Sequence, residues 1–150
     1  MCTVVRMAYG LLKARLEAER LGDEVGVETA GTYALVGEPP SPGAQRAMAK
    51  RGIDISRHRA RLVTAEMLAQ ADVVLVMTES HRRSLFHLAP GELKKVHLVS
   101  ELVGEHRDIP DPYGKPQEAY DAVAAMLETY IERGWPTLLR LLDLDIPKPL

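Results

Sequence analysis

The loop Asp108-Ile109-Pro110-Asp111-Pro112-Tyr113-Gly114 holds the chain's densest chemistry. Proline after Asp111 fixes the following backbone and limits where the carboxylate can point. A carboxyl group positioned this way can protonate a leaving oxygen if its surroundings keep it protonated. The adjacent ring of Tyr113 can flank a planar substrate. The same string also suits a plainer role, a capping carboxylate in a Pro-stiffened turn before a helix. Five histidines, at positions 58, 81, 87, 97 and 106, show no paired metal-ligand spacing, so no metal is expected. The clusters Arg57-His58-Arg59 and His81-Arg82-Arg83 could hold a phosphate, although short basic patches beside acidic residues are more often solvated surface. The single cysteine, Cys2, can form neither an internal disulfide nor a multi-cysteine zinc site, which fits a reducing cytoplasm.

The elements that must position these residues alternate between the helical and strand periods. Met7, Ala8, Leu11, Leu12 and Leu16 recur at helical spacing, with Gly22 as the stop. Residues 24–28 alternate polar and apolar, predicting a short strand that enters Thr29-Ala30-Gly31-Thr32. Ser41-Pro42 makes a cap and first-turn pair for a helix ending near Gly52. Another helix starts at Thr64 and leads into Asp72-Val73-Val74-Leu75-Val76-Met77, a run expected of a strand buried on both faces of a parallel sheet. Thr78 caps a helix through about Leu88 that carries His81 and His87, and residues 95–99 read as a strand containing His97. The last long helix begins at Pro116, with Tyr120, Val123, Ala124, Leu127 and Ile131 on one face. Gly134-Trp135-Pro136 is expected to break it. Strands separated by helices imply βαβ units in an α/β domain. Ligands of such sheets sit beyond the carboxyl ends of the strands, where the Asp111 loop is expected.

The length of 150 residues fits one domain over 1–150, with residues 37–43 and 109–116 as internal loops. Nineteen basic against twenty-one acidic residues give a net charge of −2, which argues against a nucleic-acid partner. Hydrophobic residues at 46% and charged ones at 27% exclude a disordered chain. No apolar run approaches the roughly 18 residues of a membrane helix, so no membrane partner is expected. The first apolar stretch is short and interrupted by Arg6, unlike a signal peptide. A cytoplasmic location follows as the expectation.

Taken together, several strings resemble the low-molecular-weight protein tyrosine phosphatase family. Met7-Ala8-Tyr9-Gly10-Leu11-Leu12 is similar to the Met-Ala-Glu-Gly run opening that family's first helix, and Thr29-Ala30-Gly31-Thr32 resembles its Ser-Ala-Gly-Thr segment. Gly52-Ile53-Asp54-Ile55-Ser56-Arg57-His58-Arg59-Ala60-Arg61 matches its Gly-Ile-Asp-Leu-Ser-x-His-x-Ala-Arg stretch, and Asp111-Pro112-Tyr113 matches its acid loop. The resemblance implies a three-layer α/β/α fold with a four-stranded parallel sheet. It also implies cofactor-free hydrolysis of phosphomonoesters, on a phosphorylated protein of the phosphotyrosine type or a small ester, through a cysteinyl-phosphate. Asp111 would be the general acid and later the base, Tyr113 would line the substrate cleft, and Thr29 would support the phosphate loop.

The family's phosphate loop is Cys, five residues, Arg, then Ser or Thr. Anchored on Met7-Ala8-x-Gly10, Val4 falls at the Arg position and Val5 at the Ser position. The nucleophile's place is then expected about three residues ahead of Met1, with the first strand shortened or missing. One reading takes Cys2-Thr3-Val4-Val5-Arg6 as a shortened loop, short of two amide donors and made of β-branched residues that resist a tight anion nest. Another takes Thr3-Val4-Val5 as a strand stub with Cys2 as a small apolar residue. A catalytically inactive, phosphate-binding or relic protein is the alternative function. A sheet without its first strand is expected to be marginal and to self-associate along the exposed edge.

Overall fold

The computed structural model describes residues 2–31 and 36–144, with side chains from residue 5 onward. Thr32 and the side chains of Cys2, Thr3 and Val4 lie outside the described residues. Two compact units form, one of Met1–Val63 with Pro110–Glu128 and one of Thr64–Ile109 with Thr129–Leu150.

In the first unit, helix α1 spans Cys2–Ala18 and buries Met7, Ala8, Leu11 and Leu16 on one face. It closes one turn earlier than Gly22. Arg20 turns left-handed at φ 59 while the Leu21 amide donates to the Leu16 carbonyl at 2.8 Å. The segment Cys2–Arg6 is helical, so it is neither a strand stub nor a shortened phosphate loop. β-branched residues cost a helix only a few tenths of a kcal/mol each. A strand, by contrast, needs a partner for every second N–H and C=O, and among the described residues no strand pairs with these.

Helix α2 spans Pro42–Ala49, with Pro42 in its first turn. Ser41 occupies the cap position in extended backbone but makes no cap hydrogen bond with its side chain. A Cβ on Gly10 would lie 2.9 Å from Ile55 and 3.0 Å from Ile53, so glycine is what lets α1 approach that segment. The strand expected at residues 24–28 does not form. Backbone without regular structure runs from there to an isolated parallel bridge between Gly31 and Leu62, with Gly31 donating to the Arg61 carbonyl at 2.8 Å and Val63 to the Gly31 carbonyl at 3.0 Å.

In the second unit, helix α3 (Ala65–Gln70) is capped by Thr64, whose hydroxyl accepts from the Met67 amide. Strand β1 (Val74–Val76) follows, then helix α4 (Glu79–Leu88), capped by Thr78 through the His81 amide. A 3-10 turn over Pro90–Lys95 leads to β2 (Val96–Leu98). The two strands run parallel, with Val74 opposite Val96, Leu75 opposite His97 and Val76 opposite Leu98. These are the βαβ unit and the parallel sheet the alternation predicts. Among the described residues the sheet has two strands rather than four.

Beyond β2, a second 3-10 turn spans Val99–Val103. Ser100 is fully buried there, and its hydroxyl accepts from the Arg107 amide at 2.9 Å and donates to the Arg107 carbonyl at 2.8 Å. Those two bonds fold residues 100–107 back on themselves ahead of the Asp111 loop. Ser100→Ala is expected to lower stability by about 1–2 kcal/mol, because both Arg107 backbone groups lose a partner supplied by a fully buried side chain. Urea titration of the two chains checks this. An unchanged midpoint would mean that water replaces the hydroxyl.

Helix α5 spans Gln117–Leu141 and contains Pro136. The break expected at Gly134-Trp135-Pro136 is therefore absent. A mid-helix proline costs about 3 kcal/mol. Continuing the helix buries Trp135, Leu138 and Leu139, each stabilising by about 1.5–3 kcal/mol. Burial wins. Tyr120, Val123, Ala124, Leu127 and Ile131 are buried on one face as the spacing predicts.

Candidate functional site

The Asp111 loop begins where the Ile109 amide donates to the Met77 carbonyl at 2.9 Å, just past the end of β1. In the first unit, Asp111 Oδ1 accepts from the Tyr113 amide at 3.0 Å, the side-chain-closed turn that Asp before proline favours. Pro112 is fully buried and anchors the turn. Gly114 takes a left-handed φ of 78, and the Lys115 amide donates to the Pro112 carbonyl at 2.9 Å. Tyr113 stands out at 72% exposure. The loop thus has the turn geometry of the plainer reading and also holds a carboxylate with an exposed aromatic ring two residues on. Asp108 serves a separate purpose, accepting from the Glu79 amide at 2.9 Å at the start of α4.

A second constellation, also in the first unit, surrounds a cleft of about 640 Å³ whose lining includes Tyr9, Lys13, Thr29, Arg57, His58 and Arg59. Neither Asp111 nor Tyr113 lines it. Thr29 Oγ1 lies 2.6 Å from His58 Nε2, and the Tyr9 ring sits 4.7 Å from the His58 ring, centre to centre. Lys13 Nζ donates to the Tyr9 hydroxyl at 3.2 Å, which raises the Lys13 pKa. Arg6, offered by the sequence as a loop guanidinium, is instead 3% exposed within α1. The sequence singled out Arg57-His58-Arg59 but gave no sign that Tyr9 and Thr29 would meet His58. Those contacts span up to 49 residues of chain (58 − 9).

Burial lowers the His58 pKa first, and the positive charges of Arg6, Arg61 and Arg59 lower it further. The folded chain therefore binds this proton more weakly than the unfolded one does. Its contribution is present above the unfolded value of about 6.5 and is lost as pH falls below it. Stability is expected to be lower at pH 5.5 than at pH 7.5, a window above ordinary carboxylate titration. The difference should shrink in His58→Gln. Denaturant midpoints at the two pH values measure it, and an undiminished difference in the variant would place the effect elsewhere.

The other basic cluster is engaged differently. Arg82 pairs with Glu79 at 3.4 Å and also with Glu101. His106 approaches Glu79 and Glu101, each at 3.6 Å. Burial pushes the Glu101 carboxyl up, but the Leu98 amide and Arg82 outweigh it and hold the pKa below its usual value. This is an ion network on the second unit's surface. His97 lies on β2, and His81 and His87 lie on α4. Among the described residues no group of three or more His, Cys, Asp or Glu side chains is placed to hold a metal ion. No described helix is long and apolar enough to cross a membrane.

The family model for low molecular weight phosphotyrosine protein phosphatase matches residues 3–141. A relative from Ralstonia solanacearum, described as a probable low molecular weight protein-tyrosine-phosphatase, EpsP, is 35% identical over 136 residues, covering 91% of this chain and 88% of its own. Among solved structures, the low molecular weight protein tyrosine phosphatase of T. tengcongensis superposes with a TM-score of 0.82 at 38% identity, covering 88% of this chain and 89% of that one. The YwlE arginine phosphatase of Geobacillus stearothermophilus superposes with a TM-score of 0.80 at 30% identity, covering 96% and 91%. The chain belongs to the low molecular weight phosphotyrosine protein phosphatase family, whose solved members share its α/β fold.

Proposed function

We propose that this chain is a phosphomonoesterase of the phosphotyrosine type, acting on phosphorylated proteins or small esters, with Asp111 as general acid and Tyr113 as a wall of the substrate cleft. The observation that carries the reading is the Asp111-Pro112-Tyr113 turn, with a buried proline, a carboxylate held by the Tyr113 amide and an exposed ring beside it. Family membership supports the reaction. In that reaction a thiolate attacks phosphorus, the ester P–O bond breaks, and Asp111 gives its proton to the leaving oxygen. Water then attacks the phosphocysteine while Asp111 takes up its proton, and the P–S bond breaks to release phosphate and the thiolate. The reading calls for no cofactor. A single domain over 1–150, a cytoplasmic location and self-association along the edge of the β1–β2 sheet belong to the same proposal.

A second reading, binding of phosphorylated partners without turnover, is favoured by the helical backbone of Cys2–Arg6. Cys2 and Arg6 are separated by three residues, and no Cys-x5-Arg string occurs in the sequence. General acid catalysis alone supplies about 10²–10⁴-fold. Phosphate-monoester hydrolysis calls for up to about 10²¹.

The test is p-nitrophenyl phosphate turnover by the 150-residue chain alongside binding of a phosphotyrosine peptide. Turnover that falls about 100-fold or more in Asp111→Asn supports the first reading. Binding with no turnover above the buffer rate supports the second. Neither turnover nor binding defeats both.

A further inference from the structure

We infer that the cleft between α1 and residues 54–61 binds an acidic peptide segment, its carboxylates paired with Lys13, Arg57 and Arg59. The lining brings together Lys13, Arg57, Arg59 and Arg61 with three acids, Glu17, Glu28 and Asp54. Two of those acids are already engaged. Glu28 lies 3.9 Å from Arg61, and Asp54 accepts from the Ser56 amide at 2.8 Å. Arg61 is also held by the Thr29 carbonyl at 3.2 Å. Lys13 donates to the neutral Tyr9 hydroxyl, and the negative charge of Glu17 acts on it from one turn along α1. Arg59 meets only the backbone carbonyls of Ser56 and His58, and Arg57 makes no hydrogen bond or ion pair among the described residues. The charge of Arg57 acts on Asp54 without an ion pair, so Lys13, Arg57 and Arg59 are the lining cations with no ion pair among the described residues, and the lining holds four cations against three acids. His58 Nδ1, buried beside them, has no partner among the described residues.

The shape favours a peptide over a single small anion. A volume of about 640 Å³ falls among sites that take ligands far larger than one oxyanion. Beyond His58 the chain is extended. Ala60 is buried while Arg59 and Arg61 are exposed, the alternation of a strand with its basic side chains on one face. Both backbone edges are taken. Ala60 bonds Glu38 and Gly37 on one side, and Arg61 and Val63 bond Gly31 on the other. A ligand must therefore be read by side chains, not by adding a strand.

The inference goes beyond the phosphoprotein reading, and its test uses no phosphate ester, so the two can fail separately. A nine-residue fluorescent peptide alternating glutamate with serine is titrated by the 150-residue chain and compared with its glutamine counterpart. The glutamate peptide should bind at least 10-fold tighter, with the difference shrinking as salt rises. Arg57→Gln/Arg59→Gln should weaken it at least 10-fold. If the Arg59 change disturbs the fold through its carbonyl contacts, Arg57→Gln and Lys13→Gln, which break no backbone bond, should each weaken it about 3-fold. On binding, the His58 ring protons should shift in the NMR spectrum. Equal affinity for the two peptides, or unchanged affinity in folded variants, overturns the proposal. So does inorganic phosphate moving the same signals while the peptide binds no tighter, which would make the cleft a small-anion site.

Discussion

Leu127→Ala is expected to cost about 2–5 kcal/mol, because the side chain is completely enclosed in the middle of α5. Removing three carbons forfeits their transfer free energy and leaves a void whose walls sit on a long helix that cannot collapse inward. For a chain of this size that corresponds to a melting temperature lower by roughly 5–20 °C. Leu141, near the end of the same helix and 38% exposed, is the comparison, since Leu141→Ala should stay within about 0.5 kcal/mol. Thermal melts and urea titrations of both variants measure the contrast. Equal effects would show that α5 is not packed along its length as described.

Gly134→Ala should be destabilising by about 2 kcal/mol or more, although helix propensity alone points the other way. Alanine is favoured over glycine in an open helix by about 1 kcal/mol. Here the new Cβ would lie 2.5 Å from the Leu102 Cβ, with the Leu102 carbonyl oxygen and carbon at 3.3 and 3.4 Å. Those are main-chain atoms and the first side-chain atom, so no rotamer change clears them, and overpacking wins. Leu102→Ala keeps the offending carbon and should not rescue the double variant. Gly91→Ala, where nothing lies within 4 Å, should be near neutral. A stabilised Gly134→Ala would mean that α5 and the 3-10 turn at Val99–Val103 stand further apart than described.

The family strings show how much of the site could be read from the sequence. The Asp111-Pro112-Tyr113 turn is legible locally, because proline dictates its own geometry and confines the preceding residue. The structure puts Asp111 in a closed turn and Tyr113 in solvent, consistent with that local rule. The Tyr9–His58–Thr29 contact left no such mark. It joins residues distant in sequence, and none of them has a spacing that announces the other two.

Local chemistry settled the caps at Thr64 and Thr78, the apolar runs that became β1 and β2, and the buried stripe of α5. Each depends on groups within four residues of one another or on a strong period. Tertiary contact settled the rest. Residues 24–28 alternate like a strand but find no ladder partner among the described residues, and Cys2–Arg6 winds into α1 for the same lack. Pro136 and Gly134 carry the local signal of a helix end, yet the helix passes through them. Burial of Trp135, Leu138 and Leu139 outweighs one missing hydrogen bond, and a missing side chain at Gly134 makes room for Leu102. A sequence states what each segment prefers; which preferences survive depends on the partner that packing supplies.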